Sequence, residues 1–245
     1  MLNYEPSTFG DRVAEIYDAL YGKPADTEQA VELLAELAGD GPVLELGVGT
    51  GRLAIPLAER GIGIHGIEIS EQMVERLREK RGGEAVSVVV GDMADVDAPG
   101  PFALVYVAAS TISSLLTQDD QVRCFENVAA RLRPDGLFVV EAFVPDAVRF
   151  ERDQYVSTSA LDPDWVLLVA ARRDAGTQIV DLQNVVVTED GVRLYPVRYR
   201  YVSPAELDLM ARLAGMRLRS RWASWTKGPF DSASTRHVSV YERRP

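Results

Sequence analysis

Leu44-Glu45-Leu46-Gly47-Val48-Gly49-Thr50-Gly51 is the stretch that decides the fold of this 245-residue chain. It ends a short apolar segment that is typical of a buried strand, and a segment with helical periodicity follows it over residues 52–60. Glycines between a strand and a helix let the backbone approach a ligand where a Cβ atom would collide. The spacing E-x-G-x-G-x-G does not match the dinucleotide fingerprint G-x-G-x-x-G, because Arg52 and Ala54 stand where a third glycine is required. A P-loop is excluded as well, since no Gly-Lys-Ser/Thr follows.

Helix-period and strand-period segments alternate outward from this loop, which predicts a parallel sheet with helical crossovers. Ser70 and Thr117 stand where the N-caps of two such helices are expected. The predicted strands of this part span residues 42–46, 63–67, 85–90, 102–107 and 137–143. After Pro145 the pattern changes to strands joined by short turns, which indicates an antiparallel meander over 165–173, 178–188 and 192–202.

The last part of the chain begins with a capping box, Ser203-Pro204-Ala205-Glu206, which starts a helix that two final strands follow. We therefore predict an α/β fold in a single domain of residues 1–245. Its predicted parts are an N-terminal helical cap over 1–40, a core over 41–146, an antiparallel β insertion over 147–202, and a last helix with a terminal β-hairpin over 203–245. Insertions on a common scaffold usually carry specificity, so we expect this one on the substrate side.

The composition excludes several classes of function. The formal charge of −11 and the pI of about 4.8 disfavour binding to nucleic acid or to an anionic membrane surface. A single cysteine, Cys124, and two histidines, His65 and His237, argue against a disulfide framework and against a metal site. No apolar run reaches the ~20 residues needed to span a bilayer, and the N-terminus has no signal-peptide pattern, so we expect a soluble cytoplasmic protein.

Three further motifs follow the glycine loop in order: Gly66-Ile67-Glu68-Ile69-Ser70, Gly91-Asp92-Met93 and Leu132-Arg133-Pro134-Asp135-Gly136. They place an acid at the end of the second strand, an aspartate after the third strand and a turn before the fifth. With these four motifs in register over residues 43–141, the sequence resembles the class I S-adenosylmethionine-dependent methyltransferases. The resemblance implies a Rossmann-like seven-stranded sheet with an antiparallel last hairpin. It also implies S-adenosylmethionine as cofactor and S-adenosylhomocysteine as its product.

The resemblance assigns adenosine-binding roles to particular residues. Glu68 would accept hydrogen bonds from both ribose hydroxyls, and Ile69 would pack on the adenine face. Asp92 would accept a hydrogen bond from the adenine amino group, and Met93 would offer its backbone N–H. The alternatives are a solvent-exposed strand-end acid for Glu68, a turn residue for Asp92, and core packing for Ile69 and Met93.

The glycine loop would hold the methionine part of the cofactor in a protein of this family. Gly47 and Gly49 would let the backbone pass close to it, and Gly51 would either do the same or serve close helix packing. Glu45 matches the family's acid beneath the methionine moiety. There it would order the glycine loop or meet the cofactor's amino group through water.

The N-terminal stretch Tyr17-Asp18-Ala19-Leu20-Tyr21 resembles the Tyr-Asp-x-x-Tyr segment of small-molecule methyltransferases, including aminosugar N-methyltransferases of antibiotic pathways. In those enzymes this helix covers the cofactor, and a tyrosine touches its carboxylate or the substrate. The resemblance makes Tyr21 the first candidate for that contact and Tyr17 the second. The alternative is an amphipathic helix that packs both tyrosines against the domain, since a spacing of four residues puts them on one face.

The acceptor side of the predicted site offers few acid–base groups. His237 and Tyr21 are the candidate catalytic residues, and Glu141 at the end of the fifth core strand is the next candidate. Methyl transfer from a sulfonium depends mainly on aligning the acceptor, so a neutral amine needs no strong base whereas a hydroxyl usually does.

The predicted acceptor pocket borders the carboxyl end of the fourth strand, where Ser110 and Thr111 stand in place of the Asn/Asp-Pro-Pro-aromatic run of DNA and protein-amide methyltransferases. Phe143 and Trp165 are the aromatic candidates for its lining. The sequence therefore predicts methyl transfer to a nitrogen or oxygen of a small-molecule acceptor in bacterial secondary metabolism. The alternatives are an NAD-dependent oxidoreductase and a non-catalytic protein that binds S-adenosylmethionine. Both a monomer and a homodimer remain open.

Overall fold

The computed structural model describes residues 3–21, 26–145 and 153–244. Two 3₁₀ turns, Gly83–Ala85 and Thr111–Ser114, accompany the regular elements. The helices and strands follow one another in the order α1 (Thr8–Val13), α2 (Tyr17–Tyr21), α3 (Thr27–Ala38), β1 (Val43–Leu46), α4 (Ala54–Glu59), β2 (Ile64–Glu68), α5 (Glu71–Glu79), β3 (Ser87–Val90), β4 (Phe102–Val107), α6 (Gln118–Arg131), β5 (Leu132–Phe143), β6 (Gln154–Leu161), β7 (Trp165–Asp174), β8 (Ile179–Thr188), β9 (Gly191–Arg200), α7 (Pro204–Leu213), β10 (Met216–Trp222) and β11 (Arg236–Arg243).

Seven strands form the central sheet, which we call sheet A, in the order β10-β11-β5-β4-β1-β2-β3. The strands from β5 to β3 run parallel, whereas β11 lies antiparallel to both β5 and β10. This arrangement confirms the predicted α/β fold with an antiparallel last hairpin. The strand order reverses at β1, which has β2 on one side and β4 on the other, and open α/β sheets bind ligands at such a switch point.

Side-chain caps fix where the helices around sheet A begin. The Ser70 hydroxyl accepts a hydrogen bond from the Met73 amide at 3.2 Å at the start of α5. The Thr117 hydroxyl accepts one from the Asp120 amide at 3.0 Å at the start of α6. Both caps satisfy amide groups that have no partner within the helix. The N-caps predicted for these two helices are therefore confirmed.

Four strands form a second, antiparallel sheet, which we call sheet B, in the order β6-β7-β8-β9. The sequence predicted three of these strands and missed β6. This edge strand lacks an apolar face that periodicity could reveal, and its Val156 and Leu161 side chains are 73% and 77% exposed. The predicted boundary between core and insertion at residues 146 and 147 lies outside the described residues.

Two hydrophobic clusters cover the faces of sheet A, and a third joins the N-terminal helices to sheet B. Val13 of α1, Met73 of α5, and Leu167 and Tyr195 of sheet B belong to this third cluster. Helices α1 and α2 thus lie between the core and sheet B. From here on, the cap means residues 3–21, which are the first part of the helical region predicted over residues 1–40. Within the described ranges, no helix is long and apolar enough to cross a membrane.

Candidate active site

A cavity of about 650 Å³ opens at the carboxyl ends of the parallel strands, between the cap, sheet A and sheet B. Its volume falls within the range of roughly 300–1,000 Å³ that ligand pockets usually have. Most of the residues that the sequence singled out lie in its lining: Tyr17, Tyr21, Gly47, Gly49, Glu68, Ile69, Asp92, Met93, Ser110, Thr111 and Phe143.

Two glycines shape the loop between β1 and α4, and both have a positive φ. A Cβ atom on Gly47 (φ +71°) would lie 2.4 Å from Cγ2 of Thr111, so a side chain here would collide with the turn after β4. A Cβ atom on Gly49 (φ +54°) would meet no protein atom within 4 Å, so this backbone faces open space in the cavity. Gly51 lies outside the cavity lining, and a Cβ atom there would lie 2.9 Å from Ile55, which supports the packing alternative for this residue.

Glu68 stands at the end of β2, and the backbone fixes its carboxylate. One carboxylate oxygen accepts a hydrogen bond from the Gly49 amide at 2.9 Å, and the other accepts one from the Ser70 amide at 3.0 Å. Burial raises the pKa of Glu68, and these two backbone donors counteract the effect. Each oxygen keeps a second lone pair, so the group can also accept hydrogen bonds from a diol in the cavity.

Glu45 lies buried beneath the glycine loop and does not line the cavity. Its carboxyl group accepts a hydrogen bond from the Tyr106 hydroxyl at 2.7 Å. Burial raises the pKa of Glu45 to about 8, and the bond from Tyr106 opposes this rise. Glu45 was predicted either to order the glycine loop or to meet the cofactor's amino group through water. Its buried position beneath the loop favours the first role.

Asp92 follows β3 at the cavity wall, beside Met93 and opposite Ile69 of the β2–α5 turn. One oxygen of its carboxylate accepts a hydrogen bond from the Ala94 amide at 2.8 Å, which fixes the turn. Asp92 therefore forms the turn proposed as its alternative role and also presents an acceptor to the cavity. Ile69 and Met93 add apolar surface to the lining near this acceptor, which suits a ligand with a flat ring that also forms hydrogen bonds.

The cap covers the glycine-loop end of the cavity through polar contacts as well as apolar ones. Asp18 accepts a hydrogen bond from the Thr50 hydroxyl at 2.8 Å and forms an ion pair with Lys80 at 2.6 Å. The Ser70 hydroxyl donates to Asp11 of α1 at 2.7 Å. These contacts hold the cap over the loop, and Tyr17 of the cap lines the cavity there.

The turn after β4 carries unusual backbone geometry at the opposite wall. Ala109 and Ser110 have positive φ values of 52° and 61°. The Glu141 carboxylate accepts a hydrogen bond from the Ala109 amide at 2.8 Å, and the Ser110 hydroxyl accepts one from the Phe143 amide at 3.0 Å. Glu141 therefore supports this turn, and strained non-glycine residues of this kind concentrate at functional sites.

Ser113 adds a buried hydroxyl to the cavity lining, within the 3₁₀ turn that follows β4. The residue is 3% exposed, and its Oγ atom has no hydrogen-bond partner in the part of the chain that the structure describes. A buried hydroxyl without a partner costs free energy, and a polar ligand group in the cavity would supply the missing bond.

His237, a predicted catalytic residue, does not line the cavity. It is fully buried on β11 opposite Ala142, where its Nδ1 atom lies 2.8 Å from the Ser239 hydroxyl. Burial, together with the positive charge of Arg221, lowers the pKa of His237 to about 4. The ring is thus neutral and enclosed within the protein, away from any acceptor in this cavity.

Trp165, predicted to line the acceptor pocket, also lies outside the cavity lining. It stands at the start of β7 and packs against the cluster that joins the cap to sheet B. An aromatic residue at strand spacing can face either side of its sheet, and here it serves packing between two elements.

Sheet B contributes lining residues, most of which the sequence did not reveal. Leu182 and Asn184 of β8 and Val197 and Tyr199 of β9 face the cavity. The available signal was a polar residue among apolar ones, since Asn184 lies between Leu182 and Val186 on one face of β8. The sequence of β8 does not indicate which face of the strand meets a ligand.

Comparison with known proteins gives a consistent result. The methyltransferase domain family matches residues 43–136. The structure of the CcbJ methyltransferase from Streptomyces caelestis is 39% identical, with 99% of this chain and all of that chain covered and a TM-score of 0.94. The cypemycin N-terminal methyltransferase of Streptomyces sp is 26% identical over 98% of this chain and 99% of its own length.

A third relative was solved with S-adenosylmethionine bound: CalS10 from Micromonospora echinaspora, an amino pentose methyltransferase involved in calicheamicin biosynthesis. It is 18% identical, covers 94% of this chain and 97% of its own length, and has a TM-score of 0.71, so its likeness shows the fold. These relatives give no support to an NAD-dependent oxidoreductase.

The cavity itself fits S-adenosylmethionine on three structural grounds. The Gly49 backbone leaves room for a ligand, the Glu68 carboxylate is fixed toward the cavity, and the buried Ser113 hydroxyl lacks a protein partner among the described residues. The geometry agrees with the near-complete match to a methyltransferase structure at 39% identity. The chain belongs to the S-adenosylmethionine-dependent methyltransferases.

Proposed function

We propose that this methyltransferase acts on an amine nitrogen of a small-molecule acceptor. The observation that carries the proposal concerns the acceptor half of the cavity, by which we mean the lining residues from α2, the ends of β4 and β5, and sheet B. The described residues of this set include no histidine, lysine, cysteine or carboxylate: Tyr17, Tyr21, Ala109, Ser110, Thr111, Phe143, Leu182, Asn184, Val197 and Tyr199. A hydroxyl acceptor would need a general base there, and a neutral amine would not.

The remaining polar groups near this half do not supply a base. Burial raises the pKa of Tyr21 to about 12, so its phenol stays protonated at neutral pH. Asp120 also lines the cavity, but its carboxylate is engaged by Arg123 at 2.7 Å and by the Thr117 hydroxyl at 2.6 Å. His237 is enclosed elsewhere.

The roles of the other residues follow from their positions. We assign the ribose hydroxyls to Glu68, the adenine edge to Asp92 and Met93, and the methionine part to the Gly47–Gly49 backbone. The cofactor supplies a methyl group on a sulfonium, and when the acceptor's lone pair forms the N–CH₃ bond the S–CH₃ bonding electrons stay on sulfur. The protein's part is to align the amine and to exclude water, which can account for a large share of the rate.

The relatives support the choice of nitrogen. One is named as an N-terminal methyltransferase of cypemycin, and another as an amino pentose methyltransferase of calicheamicin biosynthesis. Both names state an amino-bearing substrate. On that basis we place the acceptor among the products of bacterial secondary metabolism, such as aminosugars and amino-acid-derived compounds.

The experiment pairs each amine with its hydroxyl analogue. The enzyme and S-adenosylmethionine are incubated with glucosamine or with glucose. A second pair consists of a dipeptide with a free N-terminal amine and its analogue with a hydroxyl in place of that amine. Mass spectrometry locates the new methyl group. We expect methylation on nitrogen alone, with a rate that rises with pH as the acceptor amine loses its proton. Methylation on oxygen, with a rate governed by a protein group that titrates near neutral pH, would overturn the proposal.

A further inference from the structure

Asn184 is a polar residue on the apolar inner face of β8. On the same face Val180 is 1% exposed and Val186 is 9% exposed, and Asn184 between them is 6% exposed. A buried amide costs free energy unless it is hydrogen-bonded, and an apolar residue would satisfy the alternation of this strand without that cost. The position therefore holds an amide for a reason other than packing of the sheet.

The Asn184 side chain bridges sheet B and the cap inside the cavity. Its Nδ2 atom donates a hydrogen bond to the Tyr21 hydroxyl at 3.1 Å, and both residues line the cavity. Among the described residues, no protein group donates a hydrogen bond to the Asn184 amide oxygen. With Nδ2 bonded to the Tyr21 hydroxyl, this oxygen remains available as an acceptor in a wall of apolar side chains, such as Leu182 and Phe143.

We propose that the amide oxygen of Asn184 binds the N–H group of the acceptor amine, with Tyr21 as the residue that orients it. The inference rests on the proposed function and names the group that selects nitrogen. An amine that donates its N–H to this oxygen keeps its lone pair free to attack the methyl group.

The charge balance of the reaction favours such a partner. As the N–CH₃ bond forms, the positive charge passes from sulfur to nitrogen, and the N–H group becomes a stronger hydrogen-bond donor. A neutral amide oxygen binds this ammonium group without removing its proton, which leaves to water after release. A hydroxyl acceptor could also donate a hydrogen bond to Asn184, but the neutral amide oxygen cannot take up the proton that an oxygen nucleophile must lose.

Sinefungin and S-adenosylhomocysteine test this inference without an acceptor. Sinefungin has a carbon that bears an amino group where the cofactor has its methyl-bearing sulfur, so it places an ammonium group at the transfer position. Calorimetry on the full-length enzyme compares the affinities for the two ligands. We expect Asn184→Leu, which suits the apolar face, to weaken sinefungin binding about 10- to 100-fold, the range for a hydrogen bond to a charged group. We expect its affinity for S-adenosylhomocysteine to change less than about threefold.

Two further variants separate binding from a structural role. Asn184→Asp keeps an acceptor oxygen and adds a negative charge, so sinefungin should bind at least as tightly as to the wild type. Gln183→Leu removes the same amide one residue away, on the opposite face of β8, and should leave both affinities unchanged. Equal losses for both ligands in both Asn184 variants, or wild-type sinefungin binding in Asn184→Leu, would overturn the inference.

The outcome can be told apart from a failure of the proposed function. Methylation of a hydroxyl in the acceptor panel would refute the choice of nitrogen even if the sinefungin preference depends on Asn184. An unchanged sinefungin preference in the variants would refute the role of Asn184 even if the product carries its methyl group on nitrogen.

Discussion

Glu45 connects the glycine loop to β4 through a carboxylate that is removed from water. The Tyr106 hydroxyl donates to it, and burial still raises its pKa to about 8. Because the ordinary value is 4.5, the folded state binds a proton between pH 4.5 and pH 8 that the unfolded state has lost. The contribution of this group to stability is therefore fully present below pH 4.5 and is lost as the pH rises through 8.

The first prediction tests this linkage with Glu45→Gln, whose amide oxygen can still accept the bond from Tyr106. Each pH unit within the window is worth about 1.4 kcal/mol, so the wild type should lose several kcal/mol of unfolding free energy that the variant keeps. Thermal melts of the ligand-free proteins at pH 5 and pH 8 measure the difference. The gap between variant and wild type should grow in favour of the variant at pH 8, and parallel melts at both pH values would contradict the raised pKa.

At the scale of elements, the cap is a short helical segment whose polar contacts with the core include those of Asp18 and Asp11. Asp18 bonds to Thr50 of the glycine loop and to Lys80 at the end of α5, and Asp11 bonds to Ser70. The Asp18 and Lys80 side chains are 53% and 34% exposed, so their ion pair adds little to global stability. Because the ion pair lies beside the glycine loop, we expect it to affect ligand exchange more than global stability.

The second prediction is that Asp18→Asn accelerates dissociation of S-adenosylhomocysteine by roughly 3- to 10-fold, about 1 kcal/mol at 25 °C. The unfolding free energy should change by less than about 1 kcal/mol. Stopped-flow fluorescence gives the rates, and Glu75→Gln, on the exposed side of α5, is the matched control. High salt should bring the wild-type rate toward that of the variant, because an exposed ion pair is screened. Equal rates at low salt would show that the cap does not limit release.

The elements differ in how far sequence predicts them. Strand β4 was predictable because a parallel strand buried on both faces is a continuous apolar run. Strands β1 and β2 have shorter apolar runs and were located by the glycine loop and by the motif Gly66–Ser70. Strand β6 was not, since an exposed edge strand such as the one with Val156 and Leu161 carries no periodic signal. The helix expected around Tyr17 and Tyr21 is α2, and a second short helix, α1, precedes it; the positions of both depend on contacts with α5 and sheet B.

At the scale of the whole molecule, ligand binding should appear as global stabilisation, because only the folded chain assembles the cavity. S-adenosylhomocysteine at 100 times its dissociation constant adds about 2.7 kcal/mol, which corresponds to a rise in Tm of about 5–10 °C for a chain of this size. NAD⁺ at the same concentration should leave the Tm unchanged.

The third prediction uses this shift to test Glu68. Its amide replacement, Glu68→Gln, can satisfy only one of the two backbone donors and cannot accept from both ribose hydroxyls. We expect the affinity for S-adenosylhomocysteine to fall about 30-fold, which reduces the shift at the same concentration to about a third. Glu71→Gln, an exposed acid in the first turn of α5, should behave as the wild type. A full shift in Glu68→Gln would show that this carboxylate does not contact the ligand.

The cavity as a whole shows where sequence reasoning stops. Local motifs predicted the cofactor side, because Glu68 and Asp92 stand at strand ends whose place in the sheet is fixed by topology. The acceptor side depends on how sheet B packs against sheet A, which no local spacing encodes. Asn184 was missed and His237 was placed in the wrong setting for the same reason: the face of a strand that meets the cavity is decided by tertiary packing.

Sheet B is built from one unbroken stretch of chain, and among the described residues each of its strands pairs only with strands of that sheet. The described strands of sheet B are therefore separate from those of sheet A, which carries the glycine loop. Recombination near residues 154 and 200 would therefore exchange one wall of the cavity as a single gene segment. The handling of the methyl donor would be inherited intact, while selectivity for the acceptor would be free to diverge between homologous enzymes.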